Sequence, residues 1–187
     1  CRPRVSSNVR PQEDMHVAAL SASDVPRYRE LMLHAYAAVP DAFTSTPEER
    51  AAEPDSWWLR RAVDPAGLSV AFGAFHEDRL VGTVTIEFSA KPKTKHKAHL
   101  IGMFVHESCR SLGAGAALVQ SALACARARP EVLVITLTVT EGNAPAIGLY
   151  ERCGFRAFGT EPMAIATPEG FKAKVHMWLP IRGSPAA

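Results

Sequence analysis

The 187-residue sequence predicts an α/β fold built on a mixed sheet of about seven strands with about four helices. Three observations carry that expectation. Short β-branched runs, of which VLVITLTV at 132–139 is the strongest, have the length and composition of strands. Longer segments place apolar residues at i, i+3, i+4 and i+7, as helices do. The order that results is β-α-α-β-β-β-α-β-α-β-β, which fits one sheet with both parallel and antiparallel neighbours.

The elements follow from local chemistry. HVAAL (16–20) is short and apolar enough for a strand, and Ser21 or Ser23 then caps a helix running to about residue 38. Val25, Tyr28, Leu31, Met32 and Ala35 share one face of it. After a loop, Thr46-Pro47 starts a second helix carrying Trp57, Trp58 and Leu59. SVAFGAF (69–75) and RLVGTVTIEF (79–88) are strands joined by the polar turn His76-Glu77-Asp78. KPKTKHK (91–97) is a basic loop and AHLIGMFV (98–105) a strand with little alternation, as expected when both faces are buried. Residues 113–129 form a helix with a stripe of small and branched side chains, ending before Pro130. The run 132–139 should be a central strand, 143–153 a helix, and 157–166 with 171–180 a final strand pair around Pro168-Glu169-Gly170.

One domain over 14–182 is expected, with tails at 1–13 and 183–187. The polar start CRPRVSSNVRPQED has no apolar stretch, so it reads as a tail and not as a secretory signal. No run of eighteen apolar residues is present, which argues against a membrane span. Twenty-one Lys and Arg against 19 Asp and Glu leave a net charge of +2, which argues against nucleic acid or an anionic membrane as partner. Cys1, Cys109, Cys125 and Cys153 lack CxxC spacing and read as reduced cytoplasmic thiols. No Cys, His or acidic set has metal-ligand spacing, so no metal is expected. His96 and His99 read as surface residues in or beside the basic loop.

VHESCRSLGAGAALVQSAL (105–123) carries most of the functional information. A strand stops, a polar turn follows, and Arg110-Ser111-Leu112-Gly113-Ala114-Gly115 opens into a helix. The first N–H groups of a helix lack internal partners and its dipole makes that end positive, so an anion fits there. Two glycines remove Cβ atoms at that point, and Arg110 adds a cation. A P-loop would need Gly-Lys-Ser/Thr, and a dinucleotide fold a third glycine and an acid about twenty residues on. This chain has Leu118 and Ile135 there. A second stretch, NAPAIGLYERCGF (143–155), is a short amphipathic helix. Asn143 caps it, Pro145 sits in its first turn and Gly154 stands at its end.

Together these stretches resemble the GNAT superfamily of acyl-CoA-dependent N-acyltransferases. The pattern V-x-x-x-x-R-x-x-G-x-G/A matches Val105, Arg110, Gly113 and Gly115, and N-x-x-A-x-x-L-Y-x-x-x-G-F matches Asn143, Ala146, Leu149, Tyr150, Gly154 and Phe155. The resemblance covers about 69–160. It implies a mostly antiparallel sheet with a central splayed parallel pair, 98–105 and 132–139. Acetyl-CoA is the implied acyl donor. Its diphosphate would lie on the backbone from Arg110 through Ser111, Leu112, Gly113 and Ala114 to Gly115. Its arm would bind main chain of Met103, Phe104 and Val105, and an amide near Met103–Phe104 would polarise the thioester carbonyl. Asn143 and Ala146 would contact the arm, and Tyr150 would stand near sulfur as general acid. The implied reaction is direct attack by a primary amine in a ternary complex. The amine would belong to a small molecule, a peptide N-terminus or a lysine, and a homodimer is one assembly the family admits. Glu87 is the favoured base, with His99 and Glu141 as alternatives. Phe43, Trp57 and Trp58 lie where the family builds its acceptor pocket. A non-catalytic acyl-CoA-binding or sensory domain on the same fold is the competing reading.

Overall fold

The computed structural model describes residues 15–183. The expected tails lie outside that range, apart from Gly183. The strands are β1 (Met15–Ala19), β2 (Ser69–His76), β3 (Arg79–Phe88), β4 (Lys97–Val105), β5 (Val134–Thr140), β6 (Arg156–Thr167) and β7 (Gly170–Pro180). The helices are α1 (Val25–Ala38), α2 (Pro47–Ala51), α3 (Asp55–Ala62), α4 (Ala114–Arg127) and α5 (Ala144–Arg152). One seven-stranded sheet runs β1-β2-β3-β4-β5-β7-β6. Its neighbours are antiparallel except β4 and β5, which are parallel and central.

One expected helix is two. The segment from Thr46 begins as anticipated: Glu49 N–H donates to Thr46 Oγ1 at 3.2 Å, and Thr46 N–H to Glu49 Oε2 at 2.7 Å. It stops at Ala51. Pro54 has no N–H to continue it and holds an extended backbone, ψ 160°. Helix α3 restarts at Asp55 at a new angle, and this sets the two tryptophans. Trp58 is fully buried against Tyr28, edge to face, with ring centroids 5.9 Å apart. Trp57 is only half-buried.

The sheet is packed on both faces. Val84, Ile86, Ala98 and Leu100 join α4 in the larger core, with Leu118, Val119, Ala122 and Leu123 opposite them. On the other face Tyr28, Met32, Tyr36 and Trp58 pack over Ala71 and Phe75.

The weak alternation of β4 has a second cause beside the burial of both its faces. Thr83 pairs with Phe104 and Thr85 with Ile101, so Val84 faces two residues, Gly102 and Met103. This is a β-bulge, and Gly102 adopts φ 60° within it. One inserted residue exchanges the faces of everything after it. Leu100 therefore points to the α4 core while Phe104, of the same parity, packs under α1 with Leu31 and Ala35. Met103 and Val105 take over the α4 side.

Candidate active site

Strands β4 and β5 share a ladder only at Lys97–Val134, Ala98–Ile135 and His99–Thr136. Beyond His99 they part, and the gap between their C-terminal ends opens into a cavity of about 370 Å³. Lining it are Gly102 and Met103 on one side, Thr138 and Thr140 on the other, and Asn143, Ala146 and Tyr150 from α5. Five predicted residues, Glu87, Met103, Asn143, Ala146 and Tyr150, thus share one space. Phe104 faces α1, and Val105 leads out toward the glycine turn.

That turn is a 3-10 segment, Glu107–Leu112, capped by His106, whose Nδ1 accepts from Ser108 N–H at 3.3 Å. Arg110, Ser111, Leu112 and Gly113 are exposed, and the Arg110 guanidinium donates to the Val105 carbonyl at 3.3 Å. The two glycines do different work. Gly113 has φ 78° with open space where a Cβ would be, so it supplies the left-handed turn into α4. A Cβ on Gly115 would stand 3.2 Å from Leu149 and 3.4 Å from Met103, so that glycine lets α4 approach α5 and β4 closely. The first α4 bond runs from Ala117 N–H to the Gly113 carbonyl, 3.2 Å. Amides before it have no acceptor within the helix, which makes this corner an anion cradle.

Asn143 Oδ1 accepts from Ala146 N–H at 3.3 Å and caps α5. Tyr150 is 6% exposed and meets Phe155 edge to face. Burial pushes its phenol above the ordinary tyrosine value, with the Cys153 thiol adding to the rise. The shift is upward, so Tyr150 keeps its proton at neutral pH.

Of the three candidate bases, Glu87 and His99 stand directly opposite each other on β3 and β4, and both line the cavity. His99 is not a surface residue: its ring is half-buried, with Nδ1 2.9 Å from Thr136 Oγ1. Desolvation lowers its pKa, a Thr136 main-chain hydrogen bond opposes this, and nearby Lys97 lowers it further. The ring is therefore neutral at pH 7, as a proton acceptor must be. Glu141 does not line this cavity: it follows the end of β5, is exposed, and its Oε1 accepts from Ala173 N–H at 2.8 Å.

His34, His106 and Glu107 also come together, with ligand-type atoms within 4.8 Å of one another, from segments 72 residues apart in sequence. The two rings are stacked, 5.0 Å apart and 19° from parallel, so their lone pairs run side by side and do not converge on a common ion. The contact His34 Nε2 to Glu107 Oε2, 3.4 Å, ties α1 to the glycine turn.

The model of the Acetyltransferase (GNAT) family matches residues 29–155. The chain belongs to that family. It is similar to the L-amino acid N-acetyltransferase AaaT of Escherichia coli (strain K12), 31% identical over 106 residues, 57% of this chain and 64% of that protein. It also resembles an N-alpha-acetyltransferase of Sulfurisphaera tokodaii, 34% identical over 65 residues, 35% of this chain and 39% of that one. Both matches span less than two thirds of the relative's length. Among solved structures, an acetyltransferase of the GNAT family from Streptococcus pneumoniae superposes with a TM-score of 0.76 at 19% identity, covering 90% of this chain and all of that one. The structure of yncA from Salmonella typhimurium, solved with its cofactor acetyl-CoA, gives a TM-score of 0.76 at 17% identity, covering 93% and 98%. At those identities the likeness is one of fold, and it extends the family match to β1, β6 and β7.

GNAT membership makes clear what the sequence reading passed over. Gly102 was visible as a lone glycine inside a strand, which is itself a bulge signal. Arg50, Arg61, Tyr36 and Lys174 also line the cavity, and nothing local marks them. They come from α2, α3, α1 and β7, so only the folded chain brings them together.

Proposed function

We propose that this chain is an N-acetyltransferase that moves an acetyl group from acetyl-CoA to a primary amine by direct attack in a ternary complex. The observation that carries the reading is the parting of β4 and β5 after His99. It leaves between them a cavity that Met103 and the buried Tyr150 both line, and the glycine turn at Gly113 follows the end of β4. Family membership supports the same chemistry. The diphosphate of acetyl-CoA would rest on amides from Arg110 to Gly115, and its arm would follow main chain of Met103–Val105 beside Asn143 and Ala146. The unpaired cysteines Cys109, Cys125 and Cys153 suit a reducing compartment, and we assign the protein to the cytoplasm on that ground.

The proton inventory assigns roles. A lysine-like ammonium has a pKa of about 10.4, so reaching the free base near pH 7 costs roughly 4 kcal/mol. Neutral His99 takes that proton, and the Glu87 carboxylate opposite it holds the ammonium before transfer. The amine nitrogen then bonds to the thioester carbonyl carbon, the C–S bond breaks, and the further proton the nitrogen sheds balances the one the departing thiolate takes up. The departing sulfur receives the Tyr150 hydrogen bond. Taking the thiol near 8.5, complete transfer from a phenol at or above about 10 is uphill by at least 2 kcal/mol. Hydrogen bonding therefore precedes protonation. The amide following Gly102 faces the carbonyl oxygen and stabilises charge there. The test is CoA release with acetyl-CoA and a panel of amines, with acetylated product identified by mass. Tight acetyl-CoA binding without release from any acceptor would make the chain a binding domain instead.

A further inference from the structure

We infer that the acceptor carries a carboxylate close to its amine, held by Arg61 and Arg50 over the indole of Trp57. This rests on the transferase reading and names the substrate class for it. The cavity's charge is one-sided: Arg50, Arg61 and Lys174 line it, and Glu87 is the one carboxylate among the described residues that do.

Both guanidinium groups lie against the same indole, Arg50 at 4.5 Å and Arg61 at 5.2 Å from the Trp57 ring. Stacking fixes the plane of a guanidinium and leaves its edge to bind. Arg50 spends one nitrogen on Glu53, at 3.5 Å. Arg61 has no carboxylate partner among the described residues, and the Nε atoms of both arginines are buried without an acceptor. A planar two-oxygen anion is the group that a fork of this kind matches. Holding two like charges together without one is costly.

Position excludes the donor's own phosphates. Arg61 Nη2 lies 3.5 Å from where a Cβ of Gly102 would stand, beside the bulge. From Gly102 to the end of β4 is about 10 Å at 3.3 Å per residue, and the glycine turn lies beyond that. The clamp thus faces the thioester end of the path, opposite Glu87 and His99. An amino acid in this cavity would turn its ammonium toward Glu87 and its carboxylate toward Arg61, since both side chains line it. The amide of a peptide bond offers only one weaker acceptor.

The experiment compares L-amino acids with their primary amides and decarboxylated amines, for example L-leucine, L-leucinamide and isoamylamine. The readouts are kcat/KM and quenching of Trp57 fluorescence. Amino acids should be preferred over their amides by about 100-fold, the scale set by a charge-assisted pair left unmade. Arg61→Gln should collapse that ratio toward one, mainly through KM, and Arg61→Lys should restore only part of it because the fork is lost. Calorimetry with acetyl-CoA verifies that the variants are folded. Equal kcat/KM and equal quenching for acids and amides would overturn the clamp. Arg61-dependent quenching by carboxylates with no acetylation of any acceptor would uphold the clamp and sink the transferase reading.

Discussion

Replacing Gly102 by alanine separates the backbone geometry of the bulge from its side-chain surroundings. A Cβ there would meet Arg61 Nη2 at 3.5 Å, Met32 Cε at 3.8 Å and Thr85 Oγ1 at 3.9 Å, all ordinary contacts. The cost is therefore conformational: φ 60° in a residue with a side chain costs about 1–2 kcal/mol. Deleting the bulge would not relieve it, because Met103, Phe104 and Val105 would each turn to the wrong face of the sheet. The strain stays local and rotates the peptide between Gly102 and Met103, whose N–H we place on the thioester carbonyl. Removing one such donor outright costs about 10²–10³ in kcat, so misaiming it should cost about tenfold. Calorimetry should show Tm lower by about 2–8 °C, the same strain expressed in a chain of this size. Single-turnover acetylation should slow about tenfold while acetyl-CoA affinity moves less than about threefold. A lowered Tm with an undiminished single-turnover rate would show that this amide does not serve the carbonyl.

Other expectations follow from the same site. Tyr150→Phe should lower turnover more than about tenfold with little change in acetyl-CoA affinity, and unchanged single-turnover rates would remove the residue from the chemistry. Asn143→Ala deletes the α5 cap at 3.3 Å and should cost about 1 kcal/mol in denaturant unfolding, together with weaker acetyl-CoA binding. His99 has a folded pKa below its unfolded value near 6.5, so its neutral form contributes stability above that pH. That stability falls as pH drops from 6.5 through the folded pKa. Denaturation at stepped pH should show the loss in the wild type and a flatter acid side in His99→Gln. The acid limb of kcat/KM should sit below pH 6.5 and disappear in the same variant.

How much of this was legible in the sequence depended on range. Helix α5 was readable from Asn143 to Gly154, since capping, the first-turn proline and the terminal glycine act within a few residues of themselves. So was the glycine-bearing helix start at 110–115, since Gly113 supplies its left-handed backbone locally; diphosphate binding there is the proposed part. The order of the strands was readable too, and the fold matched it. What failed was non-local or cumulative. Pro54 was in plain view, but its effect required knowing that Trp58 must reach Tyr28 while Trp57 stays half-buried against Arg50 and Arg61. The double burial read from the weak alternation of β4 holds, but the one bulged residue that also exchanges its faces was not read. His99 looked superficial beside a basic loop, and only pairing with β5 buries it under Thr136.

The contrast between the two halves of the path has a physical origin. On the proposed reading the donor side holds a group common to every acyl-CoA, for which main-chain amides on one continuous stretch suffice. The acceptor side would discriminate through cavity-lining side chains: Tyr36, Arg50 and Arg61 from the N-terminal helices, Glu87 and His99 from the sheet, and Lys174 from β7. Two contacts to Asp41 hold this wall in place: Thr140 Oγ1 donates to the Asp41 carbonyl at 2.6 Å, and Lys172 pairs with the Asp41 carboxylate. The loop carrying Phe43 is thus anchored to the strand that also borders the donor path. Side chains on α2 and α3 can change without disturbing the amides at Gly113, because the two sets share no hydrogen bond. If the clamp is right, substrate choice would rest on Arg50, Trp57 and Arg61, and acyl-donor binding on the backbone from Gly102 to Gly115.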